Sequence, residues 1–290
     1  MKILHAADLH LDTPFTGRSP EAVSYLKRAL LSIPEKIAEL CKAHNCDLLL
    51  LAGDLFDGAA SQDSIHALKA ALSQIRIPTF ITPGNHDFCN PDSPWLSEIW
   101  PDHVHIFTNP TIESISLPQL DCRIYGAGYT GMDCPALLEN FRAEGNETYH
   151  ICLLHGDPTQ RNSPYCPISQ AHVAASGLHY LALGHVHKAD SFTAGSTLCA
   201  WPGCPMGRGN DETGEKGVYL VTIQQSASIE FLPLDGPRFY DFEVEVLDSP
   251  ESAVNSLLPA IGNEDFFRIT LTGESHSFDP SLLLREDFPH

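Results

Sequence analysis

Leu48-Leu49-Leu50-Leu51-Ala52-Gly53-Asp54-Leu55-Phe56-Asp57 is the stretch that decides the fold: an unbroken apolar run that stops at a glycine and a carboxylate. Hydrophobicity without alternation fits a strand covered on both faces, as in a sheet flanked by helices or by a second sheet. In layered sheets, ligands collect beyond the carboxyl ends of the strands, so Asp54 stands where one would be held.

The same grammar recurs along the chain. Ile3-Leu4-His5-Ala6-Ala7 leads into Asp8-Leu9-His10, and Thr79-Phe80-Ile81-Thr82 leads through Pro83 into Gly84-Asn85-His86-Asp87. Ile151-Cys152-Leu153-Leu154 ends at His155-Gly156-Asp157, and Tyr180-Leu181-Ala182-Leu183 ends at Gly184-His185-Val186-His187. Five strands are therefore expected to bring two Asp, one Asn and five His to one edge of the fold. One such tag is weak evidence; five in a single chain, each just after an apolar strand, point to a built site.

The chain of 290 residues has room for one large domain, or for one domain with an appendage. With 43% hydrophobic residues and dispersed Gly and Pro it reads as an ordinary globular protein. The first candidate ligand is already at Asp8, leaving no room for a removable signal peptide, and no apolar run approaches a membrane span. The expected location is therefore cytoplasmic. Nine scattered cysteines without a CxxC pair suit buried free thiols in that compartment. Net charge is −20, with 17 Lys and Arg against 37 acids, which is unusual for a nucleic-acid binder. Two divalent ions would nonetheless make the field positive locally and attract a phosphate.

Residues 19–44 carry apolar side chains at helical spacing, interrupted at Pro34; Ser32-Ile33-Pro34-Glu35 reads as a capping box where two helices meet. A helix over 61–75 and the strand before Gly84 complete a β-α-β-α-β opening with parallel neighbours. Residues 94–100 make at most a short helix. Hairpin-like strands follow at 104–107, 111–117 and 122–127, with helices at 135–142 and 168–176. The segment 196–235 returns to β, with its clearest strands at 217–223 and 229–232. Helices outside and two sheets facing each other within make an α/β fold of four layers, an αββα sandwich. The turn Asp235-Gly236-Pro237 marks a boundary between a catalytic domain, 1–235, and a small β-α-β appendage, 236–290. In the appendage, strands are expected at 239–246 and 266–271, with a helix at 250–261.

Imidazoles with carboxylates and one amide oxygen suit Mn, Fe, Co or Zn better than Ca or Mg, which prefer all-oxygen shells. Asp8-x-His10 and His185-x-His187 place alternate side chains on one side of an extended backbone, so each pair can grip one ion. A lone carboxylate such as Asp54 can bridge two ions, and two ions about 3.5–4 Å apart suit in-line hydroxide attack on phosphorus. His86 is the candidate for facing the substrate as an acid or charge stabiliser.

In order, Asp8-Leu9-His10, Gly53-Asp54, Gly84-Asn85-His86-Asp87, His155-Gly156 and Gly184-His185-Val186-His187 resemble the five motifs of the calcineurin-like metallophosphoesterase superfamily. The resemblance covers residues 1 to about 235. It implies that Asp8, His10, Asp54 and His187 hold one ion and that Asp54, Asn85, His155 and His185 hold the other, with Mn the leading metal and His86 the catalytic histidine. Residues 3–15, 52–57 and 180–188 resemble the SbcD/YhaO-type DNA-repair exonuclease branch, which implies a metal-dependent exonuclease working beside an SbcC/YhaN-like coiled-coil ATPase and admits a homodimer. Two departures stand out. Position 57 is Asp where some nuclease members carry a second active-site His, and 237–290 is shorter than the branch's capping domain.

For any single motif, the plain alternative is a polar residue capping a strand end, which the fivefold recurrence disfavours. His103-Val104-His105 has ligand spacing but begins a strand, away from the ligand edge. His5 reads as a core or supporting histidine, and Asp57, Asp87 and Asp157 as orienters of ligands and loops. Arg18, Arg161, Lys188 and Arg208 are candidate phosphate contacts, although solvated surface charge is the ordinary fate of each. Three functions fit: a DNA exonuclease or phosphodiesterase in repair, a phosphodiesterase or phosphatase for a small or nucleotide substrate, and a non-catalytic metal-binding scaffold.

Overall fold

The computed structural model describes residues 1–246, 249–255, 257 and 265–273. Strands β1 (Lys2–Ala6), β2 (Leu48–Ala52) and β3 (Thr79–Thr82) are parallel neighbours, as expected, and β4 (Val104–Ile106) extends them, also in parallel. On the other flank, β11 (Gly217–Ile223) pairs antiparallel with β1, and β12 (Ala227–Pro233) with β11. A second six-stranded sheet holds β5 (Glu113–Leu117), β6 (Cys122–Gly126), β7 (Tyr149–His155), β8 (Tyr180–Gly184), β10 (Thr197–Gly203) and β9 (Lys188–Ala194), in that spatial order.

The unbroken apolar runs arise because alternate residues serve two different cores. Leu48, Leu50 and Ala52 enter the layer between the sheets with Ile3, Phe80, Ile151 and Leu153, whereas Leu49 and Leu51 face the helices outside. In the second sheet, Cys152 and Leu154 pack outward while Ile151 and Leu153 pack inward. Burying one such leucine fully is worth about 1.5–3 kcal/mol. This is the four-layer αββα architecture.

Three helices cover the first sheet. In α1 (Pro20–Leu31), Pro20 occupies the first turn and the Ser19 side chain accepts from the Ala22 amide at 3.2 Å. Next comes α2 (Ile33–Ala43), then α3 (Gln62–Ser73), capped by Ser61. The expected capping box at Ser32 does not form. Ser32 has helical backbone angles and donates its hydroxyl back to Ala29 O at 2.7 Å, so α1 and α2 meet through a shared residue. A single turn, α4 (Pro94–Ser97), follows the third motif.

Two further expectations need correction. The strands after residue 103 are not one hairpin series: β4 joins the first sheet, and only β5 and β6 form an antiparallel hairpin. Residues 135–142 are not a helix. Cys134 N is drawn to Pro164 O and Ala143 N to Ser176 O, and between them only three-residue turns close, at Glu139 and Phe141. The outer cover of the second sheet is therefore this irregular segment together with α5 (Gln170–Ala175).

Beyond residue 236, β13 (Phe239–Glu245) pairs in parallel with β14 (Phe266–Thr272), and α6 (Pro250–Asn255) lies between them in sequence. The rest of the expected helix 250–261 lies outside the described residues, apart from position 257. Phe239 and Phe266 join the outer core of the first sheet, and the Arg18 guanidinium lies 4.7 and 5.1 Å from their ring centres. All nine cysteines are free and buried, and among the described residues no helix is long and apolar enough to cross a membrane.

Candidate metal centre

The parallel strands β1, β2 and β3 of one sheet, and β7 and β8 of the other, end at the same edge. There the sheets come close enough to require glycine. A Cβ on Gly184 would lie 1.8 Å from Ala52 O, one on Gly53 2.3 Å from His155 Nδ1, and one on Gly84 2.2 Å from an Asp54 carboxylate oxygen. Gly53 and Gly184 are thus spacers between the two sheets, and Gly84 leaves room for Asp54 from the neighbouring strand of its own sheet.

Asp8, His10, Asp54 and His185 all have positive φ, at 54°, 46°, 50° and 106°. Strained backbone of this kind persists only where surrounding structure enforces it, and it gathers at functional sites. Enforcement here is backbone pairing: Asp8 N donates to Gly53 O at 3.0 Å, His10 N to Asp54 O at 2.9 Å and Leu11 N to Leu55 O at 2.9 Å. Asp87 adds to it by accepting from the amides of Gly84 (2.7 Å), Leu55 (2.8 Å) and Phe56 (3.3 Å).

Asp8, His10 and His187 each offer a ligand atom within 4.8 Å of the others; so do Asp8, Asp54 and His155, and so do His10, Asp54 and His86. His10 Nε2 lies 3.2 Å from His187 Nε2 and 3.7 Å from Asp54 Oδ2. His155 Nε2 lies 3.2 Å from Asp54 Oδ2 and 3.0 Å from Asn85 Oδ1. His185 stands slightly apart, its ring centre 5.2 Å from that of His155 and its Nε2 4.0 Å from Asp157 Oδ2; its amide donates to both Asp8 oxygens, at 2.9 and 3.1 Å.

The donor set fits cations. His155 Nδ1 donates to Ala52 O at 3.0 Å, so the neutral ring turns a lone pair on Nε2 toward two oxygen acceptors. Either a proton or a metal must stand between them. His10 Nδ1 is buried without a hydrogen-bond partner, and its Nε2 meets a second imidazole nitrogen.

The proton affinities agree. Burial pulls the His155 imidazole down, but the Asp54 and Asp8 carboxylates outweigh it and lift it to about 9. Burial pushes Asp54 up, but His155, His10 and His86 hold it below the usual carboxylate range. For Asp87, burial and the Asp54 charge push it up to about 7 against the pull of its amide donors. His185 is lowered to about 4 by burial and by His155, as suits a neutral ligand.

His86 sits at the open side, its side chain 44% exposed, and donates from Nδ1 to Asp57 Oδ1 at 2.8 Å. That bond raises the imidazole above its ordinary value. Asp57 is held far below the carboxylate range by the His10 ring, whose Nδ1 lies 3.6 Å away, and by its hydrogen bond to His86. It lies beside a cleft of about 410 Å³ lined by His86, Phe88, Asp92 and Glu98, with no Lys or Arg among its described lining residues and with Glu98 paired to Lys69 at 2.9 Å. On the other flank, a cleft of about 570 Å³ is bordered by His185, His187, Lys188 and Lys216.

His103 and His105 are spent elsewhere, on Leu72 O and against Phe80 and Phe107. His5 bridges the sheets through Tyr180 OH (2.8 Å) and Leu183 O (3.1 Å). Asp157 ties its own loop through Thr159 and Gln160. Arg18 is engaged with the two phenylalanines and Arg161 is exposed, while Lys188 and Arg208 lie near the centre. One residue went unread in the sequence: Glu212, which accepts from His187 Nδ1 at 2.7 Å. It lies in a loop outside every motif, and its only signal was an acidic residue near Arg208.

Comparison with known proteins agrees with this picture. The family model described as calcineurin-like phosphoesterase matches residues 1–189. An uncharacterized metallophosphoesterase, YhaO, of Bacillus subtilis is 35% identical over 77% of this chain, and the match spans 57% of that protein's length. A subunit of the nuclease SbcCD of Staphylococcus epidermidis is 22% identical over 100% of this chain and 84% of its own. Among solved structures, a dimetal phosphatase from Danio rerio shares the fold, with TM-score 0.54 and 11% identity, over 80% of this chain and 95% of that one.

Proposed function

The chain belongs to the calcineurin-like phosphoesterase family, and on that premise we propose that it is a dinuclear metal-dependent phosphodiesterase acting on DNA as an exonuclease in repair. The observation that carries this reading is the convergence of Asp8, His10, Asp54, Asn85, His155, His185 and His187 at one sheet edge, with His86 held beside them by Asp57. Asp8, His10, Asp54 and His187 would hold one ion and Asp54, Asn85, His155 and His185 the other, Mn being the leading metal. When bound, the ions supply Lewis acidity to the phosphoryl oxygens and acidify water.

The chain's own groups do the rest. Asp54, central to both groups of ligands, keeps its charge through three imidazole neighbours. Asp57 fixes the ring of His86 and favours its protonated form, so that Nε2 can hand a proton to the leaving oxygen. A partner ATPase of the SbcC/YhaN coiled-coil type would supply the basic surface that a chain of charge −20 lacks, and a homodimer would double the site.

A second reading has its own support. The cleft beside His86 is lined by Asp92 and by Glu98, which Lys69 pairs at 2.9 Å, and has no Lys or Arg among its described lining residues, which suits a small diester better than a long strand. The test is Mn-dependent hydrolysis of linear single- and double-stranded DNA and of bis-p-nitrophenyl phosphate, with His86→Ala as control. Degradation of DNA above the control supports the nuclease. Turnover of the small diester with intact DNA, persisting when a coiled-coil ATPase is added, supports the second reading. A protein that binds Mn and turns over neither is a scaffold.

A further inference from the structure

The loop between β10 and β11 carries Arg208 and Glu212, which the mechanism above does not use. Glu212 is 7% exposed. Its Oε1 accepts from His187 Nδ1 at 2.7 Å and from Arg208 Nη2 at 2.6 Å; its Oε2 accepts from the Arg208 amide at 2.8 Å and from Nε at 3.2 Å. Arg208 Nη2 and His187 Nδ1 are 2.9 Å apart because both donate to the same oxygen. With Nδ1 committed, His187 is fixed in the form whose Nε2 lone pair meets His10.

Glu212 therefore grips two things at once, a candidate metal ligand and one edge of a guanidinium. The other edge is free. Among the described residues, Nη1 of Arg208 makes no hydrogen bond, although the side chain is only 16% exposed. Its titratable neighbours beyond Glu212 include Asp57, His10 and His86, and its charge opposes protonation of both histidines. A planar fork with one edge pinned and donors left over matches the geometry of phosphoryl oxygens.

We propose that Arg208 is a phosphate-contacting residue of this site, and that Glu212 is the positioning residue that aims both Arg208 and His187. This rests on the phosphoesterase reading. The ligand class is a phosphoryl group, of an ester or of free phosphate, that shares its oxygens between the metal centre and the guanidinium.

The test titrates inorganic phosphate by calorimetry into Mn-loaded wild type, Arg208→Lys, Arg208→Gln and Glu212→Gln, after a separate Mn titration of each. Arg208→Gln should bind Mn as wild type does but phosphate roughly 10- to 100-fold more weakly, with Arg208→Lys between the two. Glu212→Gln should weaken Mn and phosphate together, which a salt bridge of purely structural role would not do. Wild-type phosphate affinity in Arg208→Gln overturns the proposal, as does a Mn-loaded wild type that binds no phosphate. Should Arg208→Gln fail to fold, a folded Arg208→Lys with undiminished phosphate affinity overturns it equally. Binding is read without turnover, so a protein that takes phosphate through Arg208 yet hydrolyses no ester would sink the hydrolase reading and leave this one standing.

Discussion

Asp57→Asn isolates what a charge does for His86. Asparagine keeps an acceptor 2.8 Å from Nδ1 but removes the negative charge. A hydrogen bond to a charged partner contributes about 1.5–3 kcal/mol and a neutral one about 1, a difference of about 0.5–2 kcal/mol. The His86 side chain is 44% exposed and Asp57 20%, so solvent screening favours the lower half of that range, about 1 kcal/mol at most. That is roughly a fivefold loss of the protonated group's contribution, with a fall in the His86 pKa. Asp57 raises the imidazole, so activity that needs the protonated ring is present below its pKa and lost as pH rises through it. In the variant that loss must begin at lower pH. The assay is a pH profile of kcat for two diesters, one losing p-nitrophenolate and one losing an alkoxide. The alkoxide, which needs the proton, should suffer the full effect and p-nitrophenolate less. An alkaline limb unmoved for the alkoxide ester, with Mn binding intact, would refute the assignment of His86 as proton donor.

Gly53→Ala should cost about 1–2 kcal/mol for left-handed backbone alone, since φ is +83°, and the new methyl also strikes the His155 ring. The thermal midpoint of the metal-free protein should drop by roughly 3–8 °C and one Mn should be lost; a wild-type midpoint with full Mn content would contradict the spacing argument. His155, lifted to about 9, must shed its proton to bind metal, so Mn affinity should climb with pH up to about 9 and then level off. In the metal-free protein the same proton stabilises the fold below about 6.5, and that stability is lost as pH rises through about 9. Urea midpoints of the metal-free protein that rise between those pH values would show the sign to be wrong.

The part of this architecture most legible in the sequence was the set of strands that end at ligand-type residues. Runs such as 48–52 and 151–154 lack alternation because each strand feeds two cores, and that is a local property visible in the chain. The glycines beside Asp54, Asn85 and His185 were legible as motif members, but their physical role is set by the opposing sheet for Gly53 and Gly184 and by the adjacent strand for Gly84, and appears only in three dimensions. Residues 135–142 misled because Leu138 and Phe141 carry helical spacing, while their flanking amides are claimed by distant carbonyls. Ser32 misled for a similar reason, its hydroxyl bonding backward to Ala29. Glu212 was invisible because its importance comes from a loop that folds back onto His187 across 25 residues.

The central claim is that one sheet edge holds two ions bridged through Asp54. Electron paramagnetic resonance of the protein titrated with Mn, beside Asp54→Ala, tests it most directly. The account predicts two Mn per chain with the exchange-coupled signal of a close pair, and loss of that coupling in Asp54→Ala. A single uncoupled Mn at saturation, or coupling that survives removal of Asp54, would contradict it.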